Sequence, residues 1–76
     1  MAQDYMERLR KLRQDAGMTQ TEIADYLGTS QAMYARYECG KSALPIRHLI
    51  SLCELYRVSA DDVLGLPKRK RRNLDI

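Results

Sequence analysis

The chain has 76 residues, with 13 basic and 10 acidic side chains, and it contains neither Trp nor Phe. This length allows one small domain, because a chain of this size buries only about 60% of the surface that its unfolded form exposes. A core of Leu, Ile, Val, Met and Tyr favours a compact bundle of short helices. An enclosed small-molecule pocket would be difficult to build at this size.

The net charge of +3 is concentrated in one segment. Five of the thirteen basic residues occupy positions 68–72, and the residues before them carry eight basic and nine acidic side chains. Overall charge therefore does not predict nucleic-acid binding by the folded part. We expect residues 1–66 to form one domain and residues 67–76 a flexible basic tail. That tail either attracts phosphates without reading sequence or is simply solvated.

The remaining composition excludes several classes of protein. The N-terminus is charged within four residues and has no apolar run, so we predict neither a signal peptide nor a membrane span. We therefore expect a cytoplasmic location. Cys39 and Cys53 form no CxxC pair and are expected to be reduced thiols, Cys39 near a helix end and Cys53 in the core. His48 has no partner at ligand spacing and is expected to be exposed. No metal site, cofactor or catalytic set can be assembled, so no enzyme activity is predicted.

The first part of the chain has the periodicity of a helix. Apolar residues recur at steps of three and four from Tyr5 to Ala16, and Gly17 is a typical end for this first helix. Thr19 and Glu22 then have the spacing of a capping box, which predicts the start of a second helix.

The second helix is further defined by its flanks. Met18 and Ile23 have the spacing of a hydrophobic staple. Gly28 can adopt the left-handed conformation that turns the chain without strain. Ser30 is the predicted cap of a third helix that Gly40 ends, with Tyr34 facing inward. Tyr37, three residues later, faces inward as well, and the residues predicted to project elsewhere are Gln31, Ala32 and Arg36.

Two more helices complete the predicted fold. Pro45 suits the first turn of a fourth helix, whose predicted apolar stripe comprises Ile46, Leu49, Cys53 and Tyr56, widened by Leu52. The fifth helix is indicated by the spacing of Ser59 and Asp62, by the staple of Val58 with Val63, and by a stop at Gly65 and Pro67. We therefore predict five helices and no strand.

The spacing within the second and third helices has a mechanical reason. A small residue at Ala24 lets two helices approach closely, Gly28 makes the turn between them, and Tyr34 with Tyr37 fills the gap. The third helix then projects from the surface of the domain, in a shape that can enter the major groove of DNA.

These features resemble a known family. The stretch LRKLRQDAGMTQTEIADYLGTSQAMYARYECGK, continued by LPIRHLISLCELYRVSADDVLG, is similar to the helix-turn-helix domain of the phage repressor and Cro family. The resemblance covers Met6 to Gly65 and includes the "TQ" start, the "YE.GK" exit and the "VSADDVLG" ending in order. It implies an all-α, five-helix, lambda-repressor-like DNA-binding domain.

The resemblance also implies roles for individual residues. Gln20 would bond a phosphate and buttress Gln31, and Lys41 would contact the DNA backbone. Arg13 would pair with Glu38, although an ordinary surface pair is the alternative. The residues at base-reading positions are Gln31, Ala32 and Arg36, with Met33 nearby. Gln can bond adenine, Arg can bond guanine, and a methyl group can touch the thymine methyl.

Tyr34 and Tyr37 depart from the family pattern, which has Ile or Val at these positions. They either form part of the core or raise the third helix slightly, with a phenol that reaches a phosphate. Tyr34 is therefore included among the candidate DNA contacts.

The function that the resemblance implies is sequence-specific binding to double-stranded DNA. We expect a bacterial or phage transcriptional regulator on the nucleoid, acting as a repressor that binds a palindromic operator as a homodimer. Candidate residues for the dimer interface are Leu44, Ile46, Leu55 and Leu66. The alternative is an antitoxin or adaptor that uses the same fold mainly to bind a protein partner.

Overall fold

The computed structural model describes residues 4–66, and five helices form within them. The helices are α1 (Asp4–Asp15), α2 (Gln20–Leu27), α3 (Gln31–Glu38), α4 (Ile46–Tyr56) and α5 (Ala60–Leu64). The predicted all-α fold is confirmed, and no strand occurs in this part of the chain. The basic run at 68–72 lies outside the described residues, so the predicted tail stays a prediction.

The start and end of α2 are as the sequence predicts. Thr19 Oγ1 accepts a hydrogen bond from the Glu22 amide at 3.1 Å, and Glu22 Oε1 accepts one from the Thr19 amide at 2.9 Å. At the other end Gly28 is left-handed, with φ of 77°. The Thr29 amide donates to the Ala24 carbonyl at 2.9 Å, which closes the last turn. Local sequence therefore fixes where the chain turns towards α3.

Serine residues cap the starts of α3 and α5, also as predicted. Ser30 Oγ accepts from the Met33 amide at 3.0 Å, and Ser59 Oγ accepts from the Asp62 amide at 3.1 Å. Each bond satisfies an amide that the first turn of a helix leaves unpaired. Pro45, predicted in the first turn of α4, is the residue immediately before that helix.

The core lies where α1 packs against α3, α4 and α5, with α2 packed on α3 and α5 on α4. Its buried apolar members are Met6, Leu9, Ile23, Ala24, Tyr34, Tyr37, Leu49, Leu52 and Val63. Ala24 is 1% exposed at the contact of α2 with α3, as expected of a small residue that permits close approach. Arg8 Nη1 also donates to the Val63 carbonyl at 3.1 Å, which ties α1 to α5.

The predicted apolar stripe of α4 is wrong at Ile46, which is 69% exposed. Leu49 and Leu52 are buried and define the inner face of the helix. At 3.6 residues per turn, Ile46 lies roughly a third of a turn away from the centre of that face. Cys53 and Tyr56 are half-buried and pack against the core. The predicted stripe was too wide because it included Ile46, which is apolar but faces outward.

The prediction that His48 is exposed is also wrong. Its side chain lies on the inner face of α4, where its ring meets that of Tyr37 edge-on with centroids 5.9 Å apart. Burial lowers the pKa of His48, and the neighbouring Arg47 lowers it further. The neutral imidazole is therefore the form that fits this site.

Membrane-spanning helices, thiols and metal-ligand groups can be checked in residues 4–66. None of the helices in residues 4–66 is long and apolar enough to cross a membrane. Cys39 is exposed just after α3, Cys53 is half-buried, and both are free thiols. Within the same range, no three His, Cys, Asp or Glu side chains group as metal ligands would.

Candidate nucleic-acid interface

The third helix has one buried side and one exposed side. Tyr34, Tyr37 and Glu38 are buried, and they hold α3 against the domain. The exposed residues are Gln31, Ala32 and Arg36, and Met33 is half-buried. The outward projection predicted for the three exposed residues is confirmed, while their contact with DNA stays a prediction.

The buried end of α3 is fixed by a carboxylate with four hydrogen bonds. Glu38 Oε2 accepts from Arg13 Nε at 2.7 Å and from the Tyr34 hydroxyl at 2.8 Å. Glu38 Oε1 accepts from Gln20 Nε2 at 3.0 Å and from Arg13 Nη2 at 3.2 Å. We call Arg13, Gln20, Tyr34 and Glu38 the Glu38 network. It joins α1, α2 and α3 through one side chain.

The Arg13–Glu38 contact is an ion pair, as the resemblance implied, but it is not an ordinary surface pair. The two side chains are only 12% and 3% exposed, respectively. A buried charge requires both a partner and further hydrogen bonds to offset its loss of hydration. Gln20 and Tyr34 provide the further bonds to Glu38.

The pKa shifts in the Glu38 network have identifiable causes. Burial alone would raise the pKa of Glu38, but the hydrogen bonds from Arg13, Gln20 and Tyr34 outweigh it and hold that pKa below the ordinary value. The hydrogen bond to Glu38 likewise raises the pKa of Arg13. Burial, followed by the bond to Glu38, raises the pKa of Tyr34 well above the usual value. The network therefore contains a carboxylate, a guanidinium and a neutral phenol.

Tyr34 must be removed from the candidate DNA contacts. Its side chain is fully buried, and its hydroxyl donates to Glu38. Its ring also meets that of Tyr37 edge-on, with centroids 6.3 Å apart. The predicted phosphate contact by the phenol is wrong in this geometry, because the hydroxyl faces into the domain. Both tyrosines belong to the core, as their inward-facing spacing predicted.

The predicted buttress between Gln20 and Gln31 is present. Gln31 Nε2 donates to Gln20 Oε1 at 2.8 Å, which joins the first residue of α3 to the first residue of α2. Gln20 in turn donates to Glu38, so a continuous chain of hydrogen bonds runs from the buried carboxylate to the exposed Gln31. The predicted phosphate contact of Gln20 stays a prediction.

The last turn of α3 positions Arg36. Its Nε donates to Ser42 Oγ at 3.1 Å, and its carbonyl accepts from the amides of Lys41 and Ser42 at 2.9 and 3.2 Å. Gly40, with φ of 82°, allows the chain to fold back in this way. Lys41 is exposed beside this turn. Two exposed basic residues, one in α3 and one in the following loop, are therefore joined through their backbones.

Sequence reasoning missed three polar features. The bond from Tyr34 to Glu38 could have been found, because residues four apart meet on a helix surface. The support of Arg36 by Ser42 has no comparable signal, since it depends on the path of the loop. The third feature is the hydroxyl of Tyr56, which is buried without a hydrogen-bond partner among the described residues. Burial raises the pKa of Tyr56 to about 12.

Comparison with known proteins agrees with this geometry. The family model described as helix-turn-helix matches residues 9–63. The chain is 37% identical over 75 residues to the uncharacterized HTH-type transcriptional regulator YobD of Bacillus subtilis (strain 168), which covers 92% of this chain and 67% of YobD. No solved structure matches the chain.

Two further relatives carry names that refer to regulation. The chain is 30% identical over 59 residues to the cryptic phage CTXphi transcriptional repressor RstR of Vibrio cholerae, which covers 78% of this chain and 53% of RstR. It is 34% identical over 67 residues to the HTH-type transcriptional regulator ImmR of Bacillus subtilis (strain 168). The match covers 88% of this chain and 53% of ImmR. The chain thus spans two thirds of YobD and little more than half of the other two. It belongs to the helix-turn-helix family of non-enzymatic, DNA-binding proteins, in the XRE-like group of phage repressors and Cro.

Proposed function

We propose that this protein binds double-stranded DNA sequence-specifically, with α3 in the major groove, and regulates transcription. The observation that carries the proposal is the division of α3 into a side fixed by the Glu38 network and a side that exposes Gln31, Ala32 and Arg36. A rigid helix with polar and basic side chains on its exposed side suits base recognition. Membership of the helix-turn-helix family supports the same function.

Each exposed residue has a proposed role. Gln31 bonds adenine and Arg36 bonds guanine, and each bidentate pair contributes roughly 1–3 kcal/mol of discrimination. Arg36 keeps Nη1 and Nη2 for this purpose, because its bond to Ser42 uses Nε. Ala32 contacts a thymine methyl, with Met33 beside it. Gln20 and Lys41 contact phosphates, which position the domain without reading sequence.

We propose that the functional unit is a homodimer on a palindromic operator. One recognition helix covers few base pairs, and two helices about 34 Å apart read two half-sites one turn apart. Exposed apolar side chains support a contact between copies. They comprise Tyr26, Ile46, Ile50, Leu64 and Leu66. Of the predicted interface residues, Ile46 and Leu66 are exposed, whereas Leu44 and Leu55 pack partly against the core.

The proposed consequence of binding is repression, because a protein that occupies a promoter blocks the polymerase. The repressor named among the relatives supports this direction of control. We further propose that residues 1–66 form the DNA-binding domain, that residues 67–76 add phosphate attraction, and that the protein acts in the cytoplasm on the nucleoid.

The test is a selection of purified protein against randomised duplex DNA at physiological salt. We expect enrichment of an inverted repeat with half-sites about ten base pairs apart. Arg36→Ala should abolish the preference at one base pair of each half-site, while the circular dichroism spectrum stays unchanged. Lys11→Ala is the matched control, because Lys11 is an exposed cation in a groove between α1 and the α5 region.

The same exposed apolar side chains also favour a second candidate, an antitoxin or adaptor that binds a protein partner. The selection separates the two functions. Retention without enrichment, lost as salt rises, would indicate phosphate attraction alone and would favour the protein partner. An unaltered sequence preference in Arg36→Ala would likewise contradict base reading by α3.

A further inference from the structure

We propose that the buried carboxylate of Glu38 sets the hydrogen-bonding direction of Gln31, acting through Gln20, and thereby makes Gln31 select adenine over guanine. Glu38 is a positioning residue in this proposal, since Gln20 and Gln31 lie between it and the DNA. The inference rests on the proposed function, because it assigns a source of selectivity to the same surface.

The first step concerns Gln20. An ionised carboxylate only accepts hydrogen bonds, and Glu38 receives four, two on each oxygen. A Gln side chain that faces this carboxylate must present its NH₂ group, because its carbonyl oxygen would be repelled. Gln20 therefore has one allowed orientation, with Nε2 towards Glu38 at 3.0 Å.

The second step passes this orientation to Gln31. With Nε2 of Gln20 directed at Glu38 near the end of α3, the carbonyl Oε1 of Gln20 faces Gln31 at the start of the same helix. A direct hydrogen bond from Gln31 to this acceptor must use its NH₂ group, and Gln31 Nε2 donates to it at 2.8 Å. One N–H of Gln31 is thus engaged within the protein. The carbonyl oxygen and one N–H of Gln31 remain for a base.

The third step compares these free groups with the bases. Adenine offers one donor, N6–H, and one acceptor, N7, in the major groove, whereas guanine offers two acceptors, O6 and N7. One free oxygen and one free N–H match adenine. Guanine would need two N–H donors from Gln31, and one of them is already bonded to Gln20. The direction of the hydrogen bonds from Gln31 to Gln20 and from Gln20 to Glu38 therefore favours adenine and disfavours guanine.

The remaining members of the Glu38 network keep the carboxylate in place. Arg13 contacts both oxygens of Glu38, and Tyr34 contacts Oε2 from one turn earlier on α3. Neither residue bonds Gln20 or Gln31 in the described structure. Tyr34 can thus lose its hydroxyl without changing the direction of the Gln20 amide, which makes Tyr34→Phe a matched control.

The test compares base preferences of purified variants in the randomised-duplex selection. Gln31→Ala first identifies the base pair that Gln31 reads, as the position where preference is lost. In Glu38→Gln, the side chain at position 38 can donate as well as accept, so the Gln20 and Gln31 amides are free to reverse. We expect the adenine-to-guanine ratio at that base pair to fall about tenfold, within the discrimination of one bidentate pair. The other base pairs should keep their preferences.

Two comparisons make the result decisive. Tyr34→Phe should lower stability but keep the adenine-to-guanine ratio. This control separates the effect of reversed amides from a general loosening of α3. Glu38→Gln in a Gln31→Ala background should change nothing further at that base pair. A Glu38→Gln protein with a native circular dichroism spectrum and an unchanged ratio would overturn the inference.

If Glu38→Gln does not fold, Gln20→Met supplies the second variant. It leaves the contacts of Glu38 with Arg13 and Tyr34 intact and frees the Gln31 amide, so the ratio should fall in the same way. An unchanged ratio in folded Gln20→Met would also overturn the inference. Failure of the wild-type protein to enrich any site would instead contradict the proposed function itself.

Discussion

The α2–α3 pair and helix α4 hold their residues in place by different interactions. In the first region, the carboxylate of Glu38 and the amides of Gln20 and Gln31 are connected by bonds of fixed direction. In α4, Leu49 and Leu52 are held by burial, which has no direction, and the opposite face stays open to solvent. Directional bonds suit a surface that must present particular donors and acceptors. Non-directional packing is sufficient for a helix that supports it.

Two tyrosines illustrate the same contrast. The Tyr34 hydroxyl donates to Glu38 at 2.8 Å, whereas the buried hydroxyl of Tyr56 has no partner within the described residues. A buried hydroxyl without a partner costs free energy, because it loses its bonds to water and gains none. The carboxylate of Glu38 and the hydroxyl of Tyr34 are thus paired, while α4 contributes a buried hydroxyl that is not.

The largest effect should come from Glu38→Ala. Removal of the carboxylate leaves Arg13 charged and mostly buried without its partner, which typically lowers the free energy of unfolding by about 3–5 kcal/mol. Urea denaturation followed by circular dichroism measures this loss. Ile46→Ala is the comparison in α4, and we expect a change within about 0.5 kcal/mol because Ile46 is exposed. A large loss in Ile46→Ala would contradict the observed orientation of α4.

The role of Glu38 also predicts a dependence on pH. Its pKa is lower in the folded chain than the ordinary value of 4.5, so folding favours the ionised form. The stability that this provides is present above pH 4.5 and is lost as pH falls through the lower pKa of the folded state. Glu38→Gln should flatten the stability profile in that acidic range. An unchanged slope below pH 4.5 would mean that other carboxylates account for the loss.

Tyr34→Phe should have the next largest effect. It removes a hydrogen bond to a charged group without removing the aromatic ring, and we expect a loss of roughly 1.5–3 kcal/mol in the free energy of unfolding. The same denaturation experiment measures it. A loss below about 0.5 kcal/mol would show that the Tyr34 hydroxyl contributes little to the Glu38 network.

Tyr56→Phe is the matched substitution in α4 and should act in the opposite direction. Removing an unpaired buried hydroxyl leaves the ring in place, so we expect the free energy of unfolding to rise by about 1 kcal/mol. A thermal melt alongside Tyr34→Phe gives the comparison directly. Destabilisation by Tyr56→Phe would indicate that the hydroxyl has a partner in solution, such as an ordered water molecule.

The contrast between these regions also explains how far the sequence could predict the structure. The ends of α2 and α3 were predictable because Thr19, Gly28 and Ser30 act on neighbouring amides or on their own backbone conformation. The Gln20–Gln31 and Arg13–Glu38 contacts were available through resemblance, since they join residues distant in sequence. The Gln20–Glu38 bond was not available through resemblance, although it connects these two contacts.

In α4 the sequence was a weaker guide. Apolar residues occur around most of the helix, so periodicity alone could not tell the buried Leu49 from the exposed Ile46. His48 was misplaced because an imidazole is compatible with either environment, and its burial depends on the position of Tyr37. The contribution of each side chain there is set by tertiary packing, which no local signal in the sequence reports.

The smallest expected effect concerns His48, which extends the pH comparison to α4. Its pKa is lowered in the folded chain from 6.5, so the unfolded chain binds the proton more readily below that pH. Stability should therefore decline slightly as pH falls from 6.5 towards the folded pKa, at higher pH than the decline due to Glu38. His48→Gln should remove this shallow step and leave the acidic one intact.

The ring-proton resonances of His48 give the direct measurement, because the chain contains one histidine. We expect their titration midpoint below 6.5 in the folded protein. Arg47→Gln should move it upward, since the neighbouring cation is the second cause of the shift, but burial should still hold it below 6.5. A midpoint at or above 6.5 in the wild-type protein would mean that the imidazole is solvated in solution. The inner face of α4 would then comprise Leu49 and Leu52 without His48.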